Sequence, residues 1–383
     1  MAVLIAAVVP HPPIILPEIG LGQEHEIRQT TEAYREVARR VRKAKPETLV
    51  ILSPHATSYA DYFHISPGKK ARGDFRRFGA KQVEVTAFYD EEFVAALEKN
   101  AKRAGVPAGT KGEQDATLDH GTMIPLTFLA ERELPCSIVR IGLSGLDPAA
   151  HYRLGKCIKK TAEELNRDIA VVASGDLSHK LLESGPYGYA EQGPEFDRFA
   201  TAALGKGDFL SLLTMDLNLS EAAAECGLGA FRILAGALDQ MAVTSELLSY
   251  QGPFGVGYAV ATFLPQGEDR ERAFDVTYQR AERARDAVKR VGERLVRRGQ
   301  KMLPHARQAK RRRAAVRNPV KRSKFVTHGM GGRGLRNVDG AAREVRGHQH
   351  AVESILMPRE VAVHVPAYEG KRRAGIFLAF GGR

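Results

Sequence analysis

Four of the chain's 12 histidines stand just beyond short apolar runs or in a compact polar turn. His11 follows Val3–Val9 in Val9-Pro10-His11-Pro12-Pro13, and His55 follows Thr48–Ser53 in Ser53-Pro54-His55-Ala56. His179 comes after Asp168–Ala173 in Ser174-Gly175-Asp176-Leu177-Ser178-His179, and His120 sits in Leu118-Asp119-His120-Gly121-Thr122. Neutral imidazole is the commonest metal-ligating side chain, and α/β sheets bind ligands beyond the carboxyl ends of their strands. Three strands with a histidine just past each end would aim those rings into one crevice. Any one such histidine is ordinarily a turn residue or a satisfied polar group. Four in like positions, two of them in near-duplicate Pro-His contexts, point to a mononuclear metal centre. His25, His64 and His151 lack this placement and read as surface residues.

Two histidines need a third ligand, and a carboxylate would complete a facial triad with open coordination positions. The stretch Glu221-Ala222-Ala223-Ala224-Glu225-Cys226-Gly227-Leu228-Gly229 offers two candidates side by side, Glu225 and Cys226. Each also has an ordinary reading: Glu225 as a carboxylate favoured by a helix N-terminus, Cys226 as a small buried residue.

The elements that must hold these residues alternate between strand and helix. Val3–Val9, Thr48–Ser53, Ser137–Leu143 and Asp168–Ala173 read as buried strands, and Tyr258–Leu264 as a closing strand. Glu26–Lys43, Pro148–Leu165, Asp197–Leu204, Phe209–Met215 and Leu228–Leu248 carry helical spacing. Such alternation predicts an α/β fold, a central, largely buried sheet with helices on both faces. No internal repeat is present.

Composition divides the chain of 383 residues near Gly267. From there to the end Lys and Arg number 29 against 12 Asp and Glu, a net +17, leaving −5 for residues 1–266 of the overall +12. The expected organisation is a metal-binding domain over 1–266 and a basic, poorly structured region over 267–383, with no packed core across 303–355. No run approaches the length of a membrane span. The apolar start lacks a basic leader segment and runs into His11, so it reads as a strand. Three cysteines without CxxC spacing argue against a disulfide framework and for a reducing, cytoplasmic setting.

The run Val9-Pro10-His11-Pro12-Pro13, Ser53-Pro54-His55-Ala56, Asp119-His120-Gly121-Thr122, Ser174 to His179, Glu225-Cys226-Gly227 and Gly252-Pro253-Phe254-Gly255-Val256-Gly257-Tyr258 occur in that order. Together they resemble the catalytic-subunit superfamily of class III extradiol ring-cleavage dioxygenases. Within it they are most similar to the Memo-like branch called AmmeMemoRadiSam system protein B, over residues 1–265. The resemblance implies ferrous iron held by His11, His55 and a glutamate near Glu225, with His179 as acid/base and His120 orienting substrate and dioxygen. Memo relatives place a cysteine near the third position, matching Cys226, and a thiolate suits copper or zinc as well as iron.

The activity so implied is ring opening of an aromatic diol-like substrate, with His179 taking and returning a proton. The alternative is a metal-binding, non-dioxygenase component of a radical-SAM-associated system, with AMMECR1-like and radical-SAM proteins as partners. In longer relatives an AMMECR1-like domain follows, and Arg372–Phe380 looks like the remnant of its start. Residues 268–370 match no family motif and read as a shifted frame or a solvated tail. A nucleic-acid-binding arm is the third reading and is not favoured, since the basic clusters lack interleaved aromatics.

Overall fold

The structure, a computed structural model, describes residues 2–130, 136–280 and 290. The expectations for 303–355 and for Arg372–Phe380 lie outside the described residues. Contacts divide the chain into units Met1–Met302 and Leu303–Arg383, and all the described residues belong to the first.

Strands β1 (Val3–Val9), β2 (Thr48–Ser53), β7 (Ser137–Gly142) and β8 (Ile169–Ser174) are apolar runs buried almost end to end. Three smaller strand pieces and one long one come between them: β3 (Phe63–His64), β4 (Lys70–Phe75), β5 (Ala80–Phe88) and β6 (Ala108–Gly109). Two long strands, β9 (Met241–Gln251) and β10 (Tyr258–Glu268), follow. The central sheet has six strands in the order β7-β2-β8-β1-β10-β9. β7, β2, β8 and β1 are parallel, while β10 pairs antiparallel with both β1 and β9, so the sheet is mixed. β3 pairs with β6 and β4 with β5 in two small side sheets.

The helices are α1 (Pro17–Gly20), α2 (Arg28–Ala44), α3 (Glu91–Arg103), α4 (His120–Leu129), α5 (Pro148–Glu164), α6 (Gln192–Lys206), α7 (Phe209–Thr214), α8 (Leu217–Ala223) and α9 (Leu228–Ala237). Helix α2 buries Ala33, Tyr34, Val37, Ala38 and Val41, the one-face spacing that packs a helix on a sheet. It covers one sheet face together with α4 and the β4–β5 hairpin. Helices α3, α5, α6, α7 and α9 cover the other face. Where α5 crosses α9, a Cβ on Gly155 would fall 1.9 Å from Ile233 O and one on Gly236 1.9 Å from Tyr152 O. Only glycines let these two backbones touch.

Two expectations need correction. The span Leu228–Leu248 is not one helix: α9 ends at Ala237, Gln240 turns at φ 55°, and Met241 opens β9. Its Leu-rich composition fits either element, and ten registered pairs with β10 decide for strand. His64 and His151, read as surface residues, are 0% and 4% exposed. His64 lies on β3, and His151 is packed in α5 edge-on to Phe63.

The change in composition at Gly267 is not where the described packing stops. Phe274 and Tyr278 lie against the core, and Lys156 Nζ is 2.7 Å from Asp275 Oδ2.

Candidate metal centre

Parallel pairing brings the histidines together. Val9 lies level with Ser174 across β1–β8, and Leu52 with Ala173 across β2–β8. The chain therefore leaves β1, β2 and β8 at one edge of the sheet, with His11, His55 and the Ser174–His179 loop beside each other. His11 and His55 Nε2 are 3.0 Å apart, and Cys226 Sγ is 3.6 Å from His11 Nε2. These three atoms all lie within 4.8 Å of one another. A tetrahedral ion with ordinary bond lengths would set N···N near ~3.3 Å and N···S near ~3.6 Å. The donor spacing thus fits a bound cation.

Glu225 and Cys226 part company. The Glu225 carboxylate accepts the Ser220 hydroxyl at 2.6 Å and the Leu228 N–H at 2.7 Å, so it satisfies the first N–H of α9. It belongs to no ligand cluster among the described residues, whereas Cys226 belongs to two. Cys226 is held by its neighbours: its N–H reaches Asp176 O at 3.4 Å, and Asp176 N–H reaches its Sγ at 3.3 Å. The two loops meet because Gly175 and Gly227 face each other; a Cβ on Gly175 would stand 2.1 Å from Gly227 Cα.

His120 is placed by a different device. Asp119 caps α4, accepting Thr122 N–H at 2.9 Å and the Ser53 hydroxyl at 2.6 Å, so the α4 start is tied to the end of β2. Arg140, 1% exposed on β7, stands behind it with Nη1 3.7 Å from Asp119 Oδ2. The His120 ring lies 4.1 Å from that of His55 and 5.3 Å from that of His11, centroid to centroid. His179 faces the same space and meets Tyr187 edge-on at 5.0 Å.

Burial fixes the protonation states. It pushes His11 well below the usual imidazole range, helped by the charges His55 and His179 would carry. Burial also lowers His55 and His179 and brings His120 down to about 3. All four rings are neutral at pH 7 and keep a lone pair for a metal or a proton. Burial, then the nearby Asp176 and Glu225 charges, raise the Cys226 thiol well above its ordinary value. A cation would reverse that, because ligation deprotonates a thiol outright.

His11, His55, His120, Asp176 and His179 line a cavity of about 700 Å³. Phe78, from the turn between β4 and β5, packs edge-on against His120 at 5.3 Å. Tyr187, Phe254, Val256 and Tyr258 add further apolar wall.

Sequence reasoning passed over Asp176, whose Oδ1 accepts the His11 N–H at 2.8 Å, and Ser174, whose Oγ lies 2.9 Å from His11 Nδ1. Both sit in the motif that leads to His179, and their position after a strand was the available signal. Ser174 supplies the outer contact that a ligating imidazole usually has on its other nitrogen.

Residues 5–261 match the profile of LigB, the catalytic LigB subunit of aromatic ring-opening dioxygenase. The chain belongs to the LigB family. Over 258 residues it is 34% identical to Protein CA_C1420 of Clostridium acetobutylicum, covering 66% of this chain and 55% of that protein. It is 25% identical over 206 residues to the 3,4-dihydroxyphenylacetate 2,3-dioxygenase of Escherichia coli, covering 51% of this chain and 73% of the enzyme. It is also 30% identical over 173 residues to MEMO1 family protein MJ0403 of Methanocaldococcus jannaschii, covering 43% of this chain and 53% of that protein. The chain thus spans about half the length of the first and third of these relatives. No helix among the described residues is long and apolar enough to cross a membrane.

Proposed function

We propose that this chain is a metal-dependent, LigB-type oxidoreductase that binds one divalent ion, Fe(II) foremost, on His11, His55 and Cys226. The 3.0 Å approach of two neutral imidazoles, with a thiol 3.6 Å away, carries this reading. Copper or zinc is the next choice, because the third donor is sulfur. The ligand class is an aromatic, diol-like molecule seated in the cavity between Phe78 and the Tyr187–Tyr258 wall. A bound ferrous ion would template diol and dioxygen together.

The chain's own residues do the rest. His120 and His179, both neutral and both facing the cavity, can accept a proton from a ligand hydroxyl and return it. Asp176 fixes His11 by accepting its backbone N–H, and Phe78, Tyr187 and Tyr258 wall the cavity beside the four rings.

One observation favours a second reading. With Cys226 rather than Glu225 facing the histidines, the donor set is softer than that of a facial triad. That suits a Memo-like component of a radical-SAM-associated system, with AMMECR1-like and radical-SAM proteins as partners. In either case the free cysteines suit a cytoplasmic setting.

The test is anaerobic purification of the full chain, metal analysis, and reconstitution with Fe(II), followed by catechol and 3,4-dihydroxyphenylacetate with air. Metal bound through Cys226 together with ring-opened product supports the leading reading. Metal bound with no ring opening selects the second, and absence of metal binding refutes both.

A further inference from the structure

The cavity lined by the four histidines exceeds what one diol ring needs. It measures about 700 Å³, and pockets of ~300–1,000 Å³ bury most of a drug-sized molecule. Its wall also carries apolar surface that no described residue covers: Phe78, Leu182 and Tyr187 all line it, yet they are 37%, 39% and 55% exposed. Large apolar side chains left open together on one concave surface mark a ligand site. Charge is sparse there. Among the described residues no Lys or Arg lines the cavity, and Asp176 is its one carboxylate.

We propose that the ligand is an uncharged aromatic diol bearing a bulky apolar substituent, such as a second ring, which packs on Phe78, Leu182 and Tyr187. This rests on the diol reading above and narrows it. A carboxylate-bearing diol fits poorly, because its carboxylate would give up water without meeting a cation. An apolar substituent gains the burial that the open side chains offer.

The wall is built into the fold. Phe78 comes from the turn between β4 and β5 and meets His120 edge-on at 5.3 Å, while Tyr187 meets His179 edge-on at 5.0 Å. A diol that passes protons to these two histidines therefore has its ring or substituent beside one aromatic or the other. Tyr187 and Leu182 are held by backbone. Lys180 Nζ donates to Tyr187 O at 2.7 Å, and Leu181 N–H donates to Gly255 O at 3.1 Å. Gly255 turns at φ 83°, and a Cβ on it would stand 2.9 Å from Gly185 Cα, so the loop carrying Leu182 and Tyr187 rests directly on the loop carrying Phe254 and Val256.

The experiment is calorimetric titration of the Fe(II)-loaded full chain without dioxygen, so that binding is read and no turnover occurs, with the metal content measured alongside. The probes are catechol, 3,4-dihydroxybiphenyl and 3,4-dihydroxyphenylacetate. The biphenyl should bind roughly tenfold or more tighter than either of the others, with the more negative heat-capacity change of apolar burial. Phe78→Ala and Tyr187→Ala, shown to fold by melting curves, should lose most of that advantage while binding catechol as wild type does. Leu182→Arg, which places a cation on the wall, should shift the preference toward the phenylacetate. A phenylacetate that binds wild type as tightly as the biphenyl overturns the inference and leaves the diol reading standing. So does equal weakening of catechol and biphenyl in both alanine variants, or an unchanged preference in Leu182→Arg. A metal-loaded chain that binds none of the three probes refutes the diol reading itself.

Discussion

Glu225 and Cys226 are neighbours in sequence with opposite surroundings, so their substitutions should have opposite effects. In Glu225→Ala, α9 loses the side chain that accepts the Leu228 N–H, and the Ser220 hydroxyl loses its acceptor. Loss of a helix cap costs about 1 kcal/mol, and an unpaired buried partner adds about 1–3 kcal/mol. The buried Arg232, held down to about 10 by desolvation and drawn up by Glu225, also loses that opposing charge. A total near 3 kcal/mol should lower the melting temperature by roughly 6–10 °C, yet leave the His11–His55–Cys226 donors in place. Cys226→Ala removes one buried sulfur, costing about 1 kcal/mol in the metal-free protein, while taking away a donor 3.6 Å from His11 Nε2. Melting of chelator-treated protein and metal per chain after reconstitution separate the two. If Glu225→Ala melts like wild type but cannot hold metal, the carboxylate has turned to the ion and the assignment of Cys226 is wrong.

Further outcomes follow from the same geometry. His11→Ala should lose the His11–His55 ion, read as at least a tenfold weaker apparent affinity by competition with a chromophoric chelator; unchanged affinity would place the ion elsewhere. Asp197, buried behind Ser178, is raised to about 6 by desolvation while accepting Ser178 N–H and the Tyr250 hydroxyl. A carboxyl with a raised folded pKa contributes stability below its unfolded value that is lost as pH rises through about 6. Wild type should therefore lose about 2 kcal/mol relative to Asp197→Asn between pH 4.5 and 7.5 in urea unfolding; a flat difference would contradict this. Gly236→Ala should destabilise by about 1–3 kcal/mol, because its Cβ would fall 1.9 Å from Tyr152 O where α5 crosses α9, and an unchanged urea midpoint would refute that close contact.

What the sequence determined by itself was local. β1, β2, β7 and β8 are short, apolar and β-branched, and β1 and β2 are each followed at once by a proline, so strands and their ends could be read directly. The histidines at those ends could be read as ligands, because position after a strand is a property of the chain alone. The α/β class followed from the alternation of elements. Tertiary structure decided everything that depends on neighbours distant in sequence. The order β7-β2-β8-β1 sets His11, His55 and Asp176 side by side, although 165 residues separate the His11 N–H from the Asp176 carboxylate it meets. No local pattern distinguishes Glu225 from Cys226, because the choice is made by Ser220, Leu228 and the Gly175–Gly227 contact. The stretch from Met241 has the leucines of a helix and is a strand because β10 offers it a ladder of backbone partners. His64 and His151 are buried for the same reason: polar type sets what burial costs, and packing around the residue sets whether it happens.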